Sequence, residues 1–191
     1  MRVLVVDESI ERAEILREGL RRAGYEVTAS LSSPLALLKT IEEQRPDVIV
    51  IDTESPSRDV LEHLVVMSQH TPRPVVMFAS DDAPETIRQA VRAGVSAYVV
   101  NGLDPERIKP IVNAAVARFE EMQGLRTQLA EANLKLAERK LIERAKGLLM
   151  KRSGFDEDAA YAALRKMAMD RQLRLAEVAQ RVVDAADLLG A

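Results

Sequence analysis

Acidic residues close two of the chain's apolar runs: Asp7 and Glu8 follow RVLVV, and Asp52 ends DVIVID. If the fold brings these three carboxylates together, they repel one another unless a hard cation lies among them, and Mg²⁺ with oxygen ligands is the natural choice. Ser80 after PVVMFA adds a hydroxyl, and Asn101 after AYVV adds an amide. Such a set suits phosphoryl transfer to a carboxylate, with the metal neutralising developing charge and a hydroxyl holding a phosphoryl oxygen. The competing expectation is a vestigial acidic cluster on a scaffold used only for protein contacts.

A second chemistry lies near the other end, in IERAKGLLMKRSG from Ile142 to Gly154. On a helix turning 100° per residue, Lys140, Arg144, Gly147 and Lys151 fall within about 60° of one another. Ile142, Ala145 and Leu149 face the other way. A glycine inside a helix costs about 1 kcal/mol relative to Ala, but it lets another backbone come close, and basic side chains around such a gap make a phosphate groove. The plainer reading is a solvated charged face with an accidental glycine. Lys146 completes the cations of this helix. On the next one, Arg165 and Lys166 follow an apolar face of Ala160, Tyr161, Leu164, Met167 and Ala168. Tyr161 and Arg165, four apart, form a platform on which an unpaired base can stack, although a tyrosine at such a place is also an ordinary core residue.

The elements that must position these groups follow from hydropathy. Strand-like runs at 2–7, 26–30, 47–52, 74–80 and 97–100 alternate with amphipathic stretches near 9–23, 34–44, 58–70, 84–93 and 105–118. Strict alternation predicts an α/β fold, a doubly wound five-stranded parallel sheet, with the acids and Ser80 at the carboxyl ends of the strands. Gly24 and Gly94 stand where helix C-caps are expected. Beyond Phe119 no strand signal remains. Met122, Leu125, Leu129, Ala132 and Leu136 recur at 3-4-3-4 spacing, which fits a short coiled coil or a connector helix burying one face on a neighbour. Three helices then fit a small all-α domain: 137–152 ended by Gly154, 157–170 capped by Asp156, and 174–189 ended by Gly190, the last with Leu175, Val178, Ala179, Val182, Val183, Ala186 and Leu189 on one stripe.

The chain of 191 residues carries 27 Lys+Arg and 30 Asp+Glu, a charge of −3, so composition alone predicts no affinity for nucleic acid. Charge is local: residues 139–174 hold ten basic and five acidic residues, +5, which leaves −8 for the remainder. There is no cysteine, hence no disulfide framework or thiolate metal site. Neither a leader sequence nor an apolar run of membrane-spanning length is evident, so the expectation is a soluble cytoplasmic protein without membrane contact.

The first set of residues resembles the receiver domain of response regulators over roughly residues 1–118. In that family the acid pair after the first strand binds Mg²⁺, the acid ending the third accepts the phosphoryl group, and a Ser or Thr ending the fourth senses it. The resemblance assigns Asp7, Glu8 and Asp52 to the metal, Asp52 to the phosphoacceptor, and Ser80 with Tyr98, at the place of the family's switch aromatic, to the switch. Pro56 sits four after Asp52, as receivers have it. One position departs: where receivers read Lys-Pro after the fifth strand, this chain reads Asn101-Gly102. That loses a charge-assisted contact to the phosphoryl group, although Asn101 can still donate a neutral hydrogen bond.

The tail carries the second resemblance. ERAKGLLMKRSGFDEDAAYAALRKMAM (143–169) and LAEVAQRVV (175–183) resemble the ANTAR domain, a three-helix RNA-binding module found behind receivers. The whole chain is similar to NasT-type nitrate-assimilation antiterminators, through IDTESPSRDV, RPVVMFAS, GVSAYVV, ARFE and LAERK. These resemblances imply a receiver-like domain over 1–118, a linker helix or coiled coil over 119–137 and an ANTAR RNA-binding domain over 138–191. They further imply binding to paired hairpins of a leader RNA, no catalytic turnover, and release from a nitrate-sensing, periplasmic-binding-protein-like partner, with a homodimer as a possible form. Two alternatives stand beside this: a DNA-binding response regulator using the last helices as a helix-turn-helix, and a phosphorelay receiver whose tail only dimerises.

Overall fold

The computed structural model describes residues 1–32, 36–100 and 104–188, and it divides into two compact units, Met1–Gln123 and Gly124–Ala191. The first unit contains β1 (Arg2–Asp7), α1 (Ile10–Arg22), β2 (Glu26–Leu31), α2 (Leu37–Gln44), β3 (Val48–Thr53), α3 (Arg58–His70), β4 (Val75–Ala79), α4 (Pro84–Arg92) and β5 (Ala97–Val100). All four strand pairings are parallel, in the order β2-β1-β3-β4-β5. This is the doubly wound, flavodoxin-like sheet expected from the alternation.

Two-residue alternation along the buried strands sends side chains to two cores. Val3, Val5, Val48, Val50, Val76 and Phe78 face one layer, where they meet Leu16 and Leu20 of α1 and Ile108 and Val112. Leu4, Val6, Ile49, Ile51, Val75 and Met77 face the other, against Leu37 and Ile41 of α2, Leu64 and Met67 of α3 and Ala90 of α4. Each fully buried aliphatic side chain contributes about 1.5–3 kcal/mol. With both faces covered, the carboxyl edge of the sheet is left as the place where polar side chains gather.

The remaining helices are α5 (Pro105–Ser153), α6 (Glu157–Arg171) and α7 (Leu175–Leu188). The three segments expected at 105–118, 119–137 and 137–152 form one helix of 49 residues. Nothing between them stops a helix: the change from a 3.6-residue apolar pattern to a heptad is not a break, and Gly124 has open space around its Cα. Met122, Leu125, Leu129 and Leu136 are about half exposed along it. In the second unit, Ala145 of α5 packs with Leu164 and Ala168 of α6 and Val178, Ala179 and Val183 of α7, while Ile142 and Leu149 lie partly buried beside them. Asp156 caps α6 by accepting from the Ala159 amide at 2.7 Å. The expected stop at Gly190, and Leu189 with it, lie outside the described residues.

Gly24, Gly94 and Gly154 adopt φ of +88°, +106° and +67°, so all three expected helix stops use the conformation that only glycine enters without strain. They differ in surroundings. A Cβ at Gly94 would stand 3.0 Å from Ser68 Cβ, whereas at Gly24 it would meet nothing within 4 Å. Gly24→Ala is therefore expected to cost about 1–2 kcal/mol of stability from backbone strain alone, and Gly94→Ala more than that. Urea unfolding of the two variants checks the order.

Candidate functional site

The parallel register pairs Asp7 directly with Asp52 across β1 and β3, so two carboxylates emerge side by side at the carboxyl edge. The Asp7 side chain is fully buried and that of Asp52 is 14% exposed. Burial first, and then the Asp7 charge, pushes the Asp52 carboxyl above its usual range, partly offset by Arg12 and by a hydrogen bond from the Thr53 backbone. Glu8 is exposed on the rim of an open depression that it shares with Ser9, Arg12, Thr53, Glu54 and Ser55. Consecutive residues leave a strand in opposite directions, so Glu8 does not follow Asp7 inward.

The group that enters instead is Arg12, from the first turn of α1. Its Nη2 donates to Asp7 Oδ1 at 3.4 Å, its Nε lies 4.0 Å from Asp52 Oδ2, and its Nη1 lies 3.6 Å from Glu54 Oε1. The donor set suits Mg²⁺ in kind, since Asp7 Oδ2 is buried without a partner, as an oxygen awaiting a hard cation would be. Among the described residues, however, no three acidic side chains are arranged to hold a metal ion.

Ser80 is exposed after β4, and its amide donates to the Glu54 carbonyl at 3.0 Å. Tyr98 is half-buried against the core, and its hydroxyl donates to the Asp81 carbonyl at 2.8 Å. The Asp81 carboxylate accepts from Ser55 Oγ at 2.7 Å, the Ala83 amide at 2.9 Å and Thr86 Oγ1 at 3.1 Å. The Ser55 bond, foremost, holds that carboxyl below its usual range. Asp81 thus joins the β3–α3 loop, α4 and β5, a role that sequence reasoning missed because its partners come from three separate elements. Asn101 lies outside the described residues.

In the tail, Lys140, Lys151, Arg165 and Lys166 are exposed and have no carboxylate partner among the described residues. Gly147 is surrounded by open space on the side its Cβ would occupy. Tyr161 is 44% exposed rather than buried, and the α6 core is instead Ala160, Leu164 and Ala168. Arg144 is exposed but paired, its Nη2 donating to Asp187 of α7 at 2.8 and 3.2 Å.

Lys146 departs from the expectation of a phosphate contact. Its side chain is 9% exposed, and Nζ donates to Glu143 at 3.0 and 3.1 Å and to Glu157 at 2.7 Å. An ammonium held by two carboxylates presents no net positive charge outward, and it clasps the end of α5 to the start of α6. Helical projection carried the signal: Lys146 falls about 60° from Leu149, at the margin of the buried stripe rather than among the exposed cations.

Comparison with known proteins agrees with this layout. Residues 3–113 match the response regulator receiver domain and residues 130–183 the ANTAR domain. The chain is 31% identical to the transcriptional regulatory protein PdtaR of Mycobacterium tuberculosis, over 96% of this chain and 89% of that protein. It is 49% identical to the nitrate regulatory protein of Klebsiella oxytoca over 78 residues, 41% of this chain but 19% of that one. The signal receiver domain of a modulated diguanylate cyclase from Desulfovibrio desulfuricans superposes with a TM-score of 0.56 at 20% identity, covering 63% of this chain and 97% of that domain. No described helix is long and apolar enough to cross a membrane.

The Lys146 clasp carries a pH dependence. The hydrogen bond from Lys146 holds the Glu157 carboxyl below its usual range, and the bonds to Glu157 and then Glu143 raise Lys146. Glu157 therefore adds stability above the ordinary glutamate pKa that is lost as pH falls, and Lys146 adds stability below the ordinary lysine pKa that is lost as pH rises. Lys146→Met is expected to lower the thermal midpoint of the tail at pH 7, with the difference from the wild type shrinking below about pH 4. Melting curves across pH check this.

Proposed function

Because this chain belongs to the response regulators that join a receiver domain to an ANTAR domain, we propose that it is a transcription antiterminator that binds paired hairpins of a leader RNA through its tail. The observation that carries the reading is the match of residues 130–183 to the ANTAR domain, on a tail that leaves Lys140, Lys151, Arg165 and Lys166 exposed and unpaired among the described residues. These are the phosphate-binding groups, and charge there sets salt-dependent affinity. Arg144 joins them when phosphate displaces Asp187, since an exposed ion pair is held weakly. Lys146 positions the helices, Gly147 admits the RNA backbone, and Tyr161 beside Arg165 stacks an unpaired base. We take 1–118 as the controlling domain, 119–137 as the connector and 138–191 as the RNA-binding part.

Asp52 is the candidate phosphoacceptor and Ser80, Tyr98 and Asn101 are the switch residues of this reading, with Mg²⁺ at Asp7 and Asp52 and Glu8 supplying its carboxylate from the rim if phosphorylation operates. The lysine replaced by Asn101 supports control by a protein partner instead. The local likeness to a nitrate regulatory protein supports nitrate or nitrite assimilation genes as targets and a nitrate-sensing, periplasmic-binding-protein-like regulator as that partner. The exposed stripe of Met122, Leu125, Leu129 and Leu136 supports a homodimer, in which two tails meet two hairpins.

Filter binding of the full chain to a two-hairpin leader, a single hairpin and duplex DNA tests the reading. Preference for the two-hairpin RNA is expected, and equal or better retention of duplex DNA would overturn it. Two variants sharpen the test. Gly147→Ala meets open space, so it is expected to stabilise the tail by about 1 kcal/mol while weakening RNA binding, opposite signs that a purely structural glycine cannot produce. Asp187→Asn frees Arg144 and is expected to tighten RNA binding by about two- to fivefold.

A further inference from the structure

The acidic site contains a cation supplied by the chain itself. Arg12 is the third residue of α1, a position that the helix dipole favours for an acid rather than a base. Its guanidinium nevertheless points back over the end of the sheet and stands within 4.0 Å of carboxylate oxygens from Asp7, Asp52 and Glu54.

We propose that Arg12 is a built-in counter-ion that occupies the place of a divalent cation between Asp7 and Asp52, so that a metal enters only when the guanidinium swings out. Its contacts are those of a charge rather than of a fitted hydrogen-bonding partner. At 3.4, 3.6 and 4.0 Å they exceed the roughly 2.7–2.9 Å of charge-assisted hydrogen bonds. On the protein side, Arg12 Nε is buried without an acceptor and Asp7 Oδ2 is buried without a donor. The guanidinium thus offsets part of the pair's charge while leaving an inward carboxylate oxygen unsatisfied.

A Mg²⁺ ion bound at about 2.0–2.1 Å to these oxygens would share their immediate surroundings with a guanidinium nitrogen. Like charges at that separation repel strongly in a partly buried site. Removal of Arg12 is sterically open, because the side chain is 36% exposed, and Glu54, 85% exposed, stands ready to hold the guanidinium at the rim. Competition between the two cations makes the conformation of this edge insensitive to Mg²⁺ at low concentration.

Calorimetric titration of the full chain with Mg²⁺ tests the proposal. Arg12→Gln, with folding verified by circular dichroism, is expected to bind Mg²⁺ about tenfold or more tightly than the wild type, and Arg12→Lys, which keeps the charge, to stay near the wild type. Arg12→Met replaces the Gln variant if that one fails to fold. Adding Asp52→Asn to Arg12→Gln should abolish the gain, which locates the metal. Binding by Arg12→Gln that is equal to or weaker than that of the wild type overturns the proposal, and so does a gain that survives Asp52→Asn.

Discussion

Two carboxylates forced side by side by a strand register are the constraint around which the first unit is arranged. Asp7 and Asp52 are opposite one another because β1 and β3 pair in parallel from Val3 with Val48 onward, and that pairing is fixed by the alternation that sorts their valines and isoleucines between two cores. Slipping the register by one residue would exchange the two faces, so the packing energy of the sheet holds the like charges together. The repulsion must be answered locally. Arg12 gives one answer, and the Asp52 carboxyl stays raised, by its burial first and by the Asp7 charge second.

The tail solves the reverse problem, an excess of positive charge on helices that must pack. One lysine goes inward and is neutralised by two glutamates, one arginine leans on an aspartate of α7, and the others stay in solvent. The division is physical: a cation near the core requires partners, whereas one in water does not. A stretch that reads as uniformly basic is therefore two populations, one structural and one available to an anionic ligand.

Much of this was legible in the residues. Short apolar runs between amphipathic stretches marked the five strands, and the acids and Ser80 were placed at strand ends because strands of a parallel sheet all finish on the same edge. Gly24, Gly94 and Gly154 marked helix stops because glycine enters a left-handed backbone at the least cost, whereas the same conformation at Arg45 and Gln172 carried no such mark. What was not legible depends on side chains reaching across elements. Arg12 leaves a helix to return to two strand ends, Asp81 ties three elements together, and Lys146 meets Glu157 only once the turn at Gly154 has folded back. The unbroken α5 was hidden for a different reason: changes of pattern look like boundaries, although a change of apolar period does not by itself end a helix.

The burial of Lys146 also governs how the tail behaves toward reagents. Acylating probes attack a neutral, accessible amine, and this amine is enclosed, protonated and occupied by Glu143 and Glu157. Lys140, Lys151 and Lys166 are exposed and have no carboxylate partner among the described residues. Within residues 138–191, amine footprinting thus reads three outward lysines against a silent fourth, and labelling of Lys146 reports that α5 and α6 have come apart.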